Sequence, residues 1–182
     1  MKILLVFNPS KTTALEYYRM ILPHIALIRK YPNVTVAYKW PEFVDEQDVM
    51  KPGSKRTTVT AAIDQIKDEE LKEYSIVVFL REVGTEARLI NNQLVYTGDQ
   101  KKVFDRLRRL GCKVVFDIDD YWRVPKDHRM YDPAMAYYTK AQFACDNADL
   151  VTTTTNLFAD IIEDETHQKN VGVLPNCIDP NE

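Results

Sequence analysis

The stretch Val114-Val115-Phe116-Asp117-Ile118-Asp119-Asp120-Tyr121-Trp122 decides how this chain is read. Three apolar residues run directly into three carboxylates and two large aromatics. A short block of β-branched and aromatic residues reads as a buried strand. In open α/β sheets, ligands lie beyond the carboxyl ends of such strands. The stretch therefore predicts a strand that carries acid and ring surface to the edge where a site is expected.

The same pattern repeats outward from it. Lys2 to Phe7 and Ile76 to Leu80 are continuous apolar runs, suited to parallel strands buried on both faces. Asn33 to Tyr38 alternates through Val34, Val36 and Tyr38 and reads as a second strand. Leu150 to Thr154 and Val171 to Leu174 complete the strand series.

Helical spacing fills the gaps. Leu15, Tyr18, Leu22, Ile25 and Ile28 mark one helix, with Thr12 or Thr13 as its cap and Glu16 completing a capping box. Pro23 predicts a kink or a restart inside it. Val59 to Lys67 reads as a helix through Ala62, Ile63 and Ile66. Asp99 to Leu110 is amphipathic and ends at Gly111. Ala134, Tyr138, Ala141, Cys145 and Ala148 form the stripe of a further helix. Thr155 or Asn156 caps a last one carrying Leu157, Phe158, Ile161 and Ile162. Arg88 to Tyr96 reads as a hairpin around Asn91-Asn92, or as an irregular loop. Trp40 to Thr57 reads as a long loop. Alternating strands and helices predict a Rossmann-like α/β three-layer sandwich with a mostly parallel sheet, and residues 1–182 read as one domain.

Composition narrows the function classes. The chain has 182 residues, 45% hydrophobic and 28% charged, which is enough to bury a core without staples. Lys and Arg number 24 against 27 Asp and Glu, so the net charge of -3 argues against a nucleic-acid partner. Cys112, Cys145 and Cys177 lie far apart and read as reduced thiols of a cytoplasmic protein. His24, His128 and His167 are scattered, so no metal site is expected. No apolar stretch is long enough to span a membrane.

Two chemistries fit the acids. Paired carboxylates hold magnesium, shift one another's pKa, or accept a proton from a substrate hydroxyl. Asp117 and Asp119 share a face for as long as the strand geometry lasts. The apolar-run-Asp-x-Asp pattern resembles the first motif of haloacid-dehalogenase phosphatases, which makes Asp117 a nucleophile and Asp119 an acid. That motif normally lies near the start of a chain and continues with Thr or Val, whereas here Tyr121 follows Asp120.

The C-terminal third points elsewhere. Asn147-Ala148-Asp149-Leu150-Val151-Thr152-Thr153-Thr154-Thr155-Asn156-Leu157 and Val171-Gly172-Val173-Leu174-Pro175-Asn176-Cys177-Ile178-Asp179 resemble the group-1 retaining glycosyltransferases of the GT-B fold. Tyr17-Tyr18-Arg19-Met20 with Pro23, and Asp119-Asp120-Tyr121-Trp122, are similar to a bacterial and phage branch of that family, in the same order. Two positions depart from the family. The loop Asn8-Pro9-Ser10-Lys11-Thr12-Thr13 lacks glycine, and Cys177 stands where glycine is usual.

The resemblance implies an N-terminal, acceptor-binding domain. Such a domain works with a C-terminal donor-binding domain that residues 1–182 do not contain. The reaction implied is transfer of a sugar from a nucleotide-sugar donor to an acceptor hydroxyl, with no metal and no other cofactor. The acceptor is a glycan, a lipid-linked sugar or another hydroxyl compound. Asp119 and Asp120 are the candidate catalytic, acceptor-orienting residues. Tyr121 and Trp122 offer a surface for sugar rings, or else form a lid of core aromatics. Ser10 and Lys11 bind an anion, or else Lys11 is a solvated loop residue. Arg19 braces the loop, reaches an acidic acceptor, or sits in a structural ion pair. Asn176 fixes the turn between domains or touches substrate. A non-catalytic Rossmann-like binding module remains the third reading.

Overall fold

The computed structural model describes residues 1–6, 17–39, 42–43, 59–60, 62–83, 86–90, 93–129 and 131–176. In chain order the strands are β1 (Lys2–Val6), β2 (Thr35–Lys39), β3 (Glu42–Phe43), β4 (Val59–Thr60), β5 (Ile76–Leu80), β6 (Glu86–Ile90), β7 (Gln93–Thr97), β8 (Lys113–Asp117), β9 (Leu150–Thr153) and β10 (Val171–Val173). The α-helices are α1 (Leu22–Lys30), α2 (Asp68–Leu71), α3 (Gln100–Arg109), α4 (Tyr131–Asn147) and α5 (Asn156–Glu165). A π-helical turn, Tyr17–Ile21, leads into α1.

Six strands form one sheet in the order β2-β1-β5-β8-β9-β10, and every neighbouring pair is parallel. Alternation along each strand splits the core in two. Leu4, Val6, Val77, Phe79, Val114, Phe116 and Val151 face one side, packed against α3, α4 and α5 through Phe104, Leu107, Ala141, Cys145, Phe158 and Ile162. Ile3, Leu5, Val78 and Leu80 face the other, with Met20, Ile21 and Leu27 against them. The result is a Rossmann-like three-layer α/β sandwich. Each fully buried aliphatic or Phe side chain contributes roughly 1.5–3 kcal/mol over its exposed state.

Local signals set the helix ends. Asp99 caps α3 and accepts from the Lys102 amide at 3.4 Å. Gly111, at φ +82°, follows α3 in the left-handed region that glycine enters at no steric cost. Thr155 caps α5 by accepting from the Phe158 amide at 3.1 Å. Pro23 sits in the first turn of α1, where its missing N–H costs nothing, so the restart is the outcome realised.

The structure settles several open readings. The strands of the expected hairpin form: β6 and β7 pair antiparallel from Glu86↔Thr97 to Ile90↔Gln93, while Asn91 and Asn92 lie outside the described residues. The helix expected over Val59 to Lys67 is not formed. Val59–Thr60 instead pairs with Glu42–Phe43, and Ala62–Gln65 is a 3₁₀ turn. Ile63 and Ile66 are buried at a spacing of three residues, which suits that tighter period. Of the apolar residues of α5, Phe158 and Ile162 are buried, whereas Leu157 is 72% exposed. Arg106 lies on the flank of α3, off its apolar face. It binds Asp68 and the Ile63 and Ile66 carbonyls, fastening α3 to the 3₁₀ turn. The cap expected at Thr12 or Thr13, most of the long loop and Cys177 lie outside the described residues.

Candidate functional site

The chain runs from β1 outward to β2 on one side and then returns to β5 on the other. The carboxyl edge between β1 and β5 is thus the topological switch point, where open α/β sheets place ligands. Two charged constellations stand beside it, at the carboxyl ends of β5, β8 and β9.

The first is centred on Arg81, directly after β5. Its φ is +62°, uncommon for a residue with a side chain. The Glu82 amide donates to the Leu80 carbonyl at 2.7 Å, closing a three-residue turn of the strained hand. Such a conformation costs on the order of 1–3 kcal/mol and persists only where neighbours enforce it. Here the Arg81 amide donates to the Asp117 carbonyl at 2.7 Å, and the Tyr137 hydroxyl donates to the Arg81 carbonyl. Burial pushes the Tyr137 phenol well above its ordinary pKa, so it remains a donor.

The Arg81 side chain grips Asp119 with both arms, Nε to Oδ1 at 2.7 Å and Nη2 to Oδ2 at 3.0 Å. Nη2 also lies 2.6 Å from Oδ2 of Asp120. The two acids differ in access: the Asp119 side chain is 9% exposed and that of Asp120 is 71% exposed. Asp119 is a fixed anchor, while Asp120 faces solvent.

The second constellation is buried. Arg19, in the π-helical turn, donates from Nε and Nη2 to the two carboxylate oxygens of Asp117, each at 2.6 Å. Thr152, opposite Asp117 in the β8–β9 register, donates its hydroxyl to Asp117 Oδ2 at 2.6 Å. Nη1 of Arg19 donates to the Leu174 carbonyl at 2.9 Å and to Asn176 Oδ1 at 3.1 Å. The Arg19 and Asp117 side chains are 0% and 3% exposed. Burial pushes the Asp117 carboxyl up from its ordinary value, and the Arg19 and Thr152 hydrogen bonds oppose that shift. Strand geometry stops at Asp117, so Asp117 and Asp119 part company, one turning to Arg19 and the other to Arg81.

The aromatics behave unequally. Trp122 is 1% exposed, packed on Tyr138 and Phe158, with Nε1 donating to Glu165 at 3.1 Å. It is a core aromatic, and its ring offers no open face to a sugar, which corrects that expectation. Tyr121 is 41% exposed, meets Phe158 edge to face and donates its hydroxyl to Glu165 at 3.0 Å. Arg123 joins the same carboxylate at 3.1 Å. Glu165 thereby pins the segment after β8 onto the last turn of α5.

Of the sequence candidates, the structure brings Asp119, Asp120 and Tyr121 to one edge and joins Arg19 to Asn176. Ser10 and Lys11 lie outside the described residues. Sequence reasoning passed over Arg81, Tyr137, Thr152 and Glu165. Arg81 had a signal of its own, since it follows an apolar strand as directly as Asp117 does. Glu165 had none, being one of several acids on a helix. Among the described residues, no group of three His, Cys, Asp or Glu side chains is placed to hold a metal ion. Among them, too, no helix is long and apolar enough to cross a membrane. No family model matches the chain, and no curated protein matches it significantly.

Proposed function

We propose that the chain is the acceptor-side domain of a retaining glycosyltransferase of the GT-B fold. It would act with a donor-binding domain, moving a sugar from a nucleotide-sugar to an acceptor hydroxyl in the cytoplasm. One observation carries the reading. Three of the four stretches that resemble the family, far apart in sequence, are tied together at Asp117, just before the remaining one. Arg19 from the first binds Asp117, two residues before the second; Asp117 binds Thr152 of the third; and Arg19 reaches Leu174 and Asn176 of the fourth.

The chemistry assigns distinct work to the two acids. Asp120 is the carboxylate that accepts a hydrogen bond from the acceptor hydroxyl. Asp119, held by Arg81, fixes the position of Asp120 and of the backbone between them. Tyr121 supplies the exposed ring surface beside them. The phosphatase reading asks more of the fold: a nucleophilic Asp117 would have to release both arms of Arg19 and the Thr152 hydroxyl.

Fluorescently labelled chain on a printed glycan array tests the reading. Binding to a defined class of saccharide is expected, weakened about tenfold or more in Asp120→Ala, as for loss of a charge-assisted hydrogen bond. Absence of any saccharide ligand, or equal binding by Asp120→Ala, counts against it. Magnesium-dependent phosphomonoester turnover that disappears in Asp117→Asn would replace it with the phosphatase reading.

A further inference from the structure

Strand β10 has three residues and, among the described residues, pairs with β9 alone, at the edge of the sheet. Its last sheet bond is Leu174 N–H to the Thr153 carbonyl at 2.7 Å. A short edge strand with few bonds and a partly exposed surface frays easily. Yet the chain just beyond it is gripped twice by one nitrogen, Nη1 of Arg19, at Leu174 O and at Asn176 Oδ1.

That grip has a fixed direction. A guanidinium is a rigid planar fork, so a bidentate pair with a carboxylate leaves its third nitrogen aimed along one line. Asp117 holds the fork through both oxygens, and Thr152 holds Asp117 from the neighbouring strand. The position of residues 174–176 is thus set by the ends of β8 and β9, through a side chain delivered from the N-terminal π-helical turn.

We infer that Arg19 is a positioning residue that fixes the course of the chain leaving β10 against the carboxyl edge of the sheet. Under the proposed function, that course leads toward the donor side, so Arg19 sets the angle at which the two halves meet. Only this last consequence rests on that reading; the clamp itself does not.

Amide hydrogen exchange on the whole 182-residue chain tests it, because it separates local opening from global unfolding. The variants are Arg19→Lys, Asn176→Ala and the double replacement Arg19→Met/Asp117→Leu. Lysine keeps the charge and loses the fork. Exchange at Leu174 is expected to rise about tenfold or more in Arg19→Lys, as for loss of charge-assisted bonds. Asn176→Ala should give a smaller rise at the same place. The double variant removes both charges, so it holds its core while loosening the same segment. Asn176 is exposed, so its replacement folds whatever the others do. In that double variant a purely structural Arg19 would raise exchange in the core amides as much as at Leu174. That result overturns the inference, as does wild-type protection at Leu174 in any variant lacking the fork. Failure of the glycosyltransferase reading would appear on the glycan array and leave this exchange pattern intact.

Discussion

Asp117 shows how much a single residue's meaning depends on its partner. In sequence it looks like a metal ligand or a nucleophile; in the fold it is half of a buried ion pair. Removing one partner of such a pair leaves an uncompensated charge, which costs about 3–5 kcal/mol, whereas replacing both by apolar groups costs far less. Asp117→Leu and Arg19→Met should each lower unfolding free energy by that amount in urea titrations, and the double variant by clearly less than either. The pair was illegible in the sequence because its members lie 98 positions apart. His24 adds a pH dependence. Burial lowers its pKa from 6.5, opposed by its Nδ1 contact to the Met20 carbonyl at 2.6 Å and by the charge of Asp117. The unfolded chain therefore binds the proton more readily. The stability from neutral His24 is present above pH 6.5 and is lost as pH falls through the lower folded value. His24→Gln should flatten the slope of stability against pH on the acid side of 6.5, read by urea midpoints.

At the scale of elements, local chemistry carried most of the reading. Most parallel strands announced themselves as continuous apolar runs, α3 by its amphipathic spacing and the glycine that ends it, and α5 by a cap that forms at Thr155, one of the two residues expected. Gly111→Ala should cost roughly 1–2 kcal/mol, because a Cβ at φ +82° meets no neighbour within 4 Å and the penalty is purely conformational. Thr155→Ala should cost about 1 kcal/mol through the lost cap. Thermal unfolding of both variants checks these values. The sequence misled where period and length were short. Ile63 and Ile66 satisfy a 3₁₀ turn as well as an α-helix, and Val59–Thr60 is drawn into a two-residue ladder by a partner 16 positions or more upstream. Leu157 matches the spacing of α5 and still lies outside, because a spacing argument does not say where the stripe ends.

At the scale of the molecule, the sheet order creates a switch point, and the charged residues that follow β5 and β8 occupy its edge. The position of the acids was legible, since they end an apolar strand. Their division of labour was not, because it depends on Arg81 and its strained turn, 38 positions from Asp119. Under the proposed function this edge, around Arg81, Asp120 and Tyr121, receives a saccharide hydroxyl. Backbone amide chemical shifts during titration with the saccharide selected on the array test it most directly. Shifts centred on residues 81 and 119–121 that vanish in Asp120→Ala are expected. Shifts confined to another surface, with these amides unmoved, would contradict it.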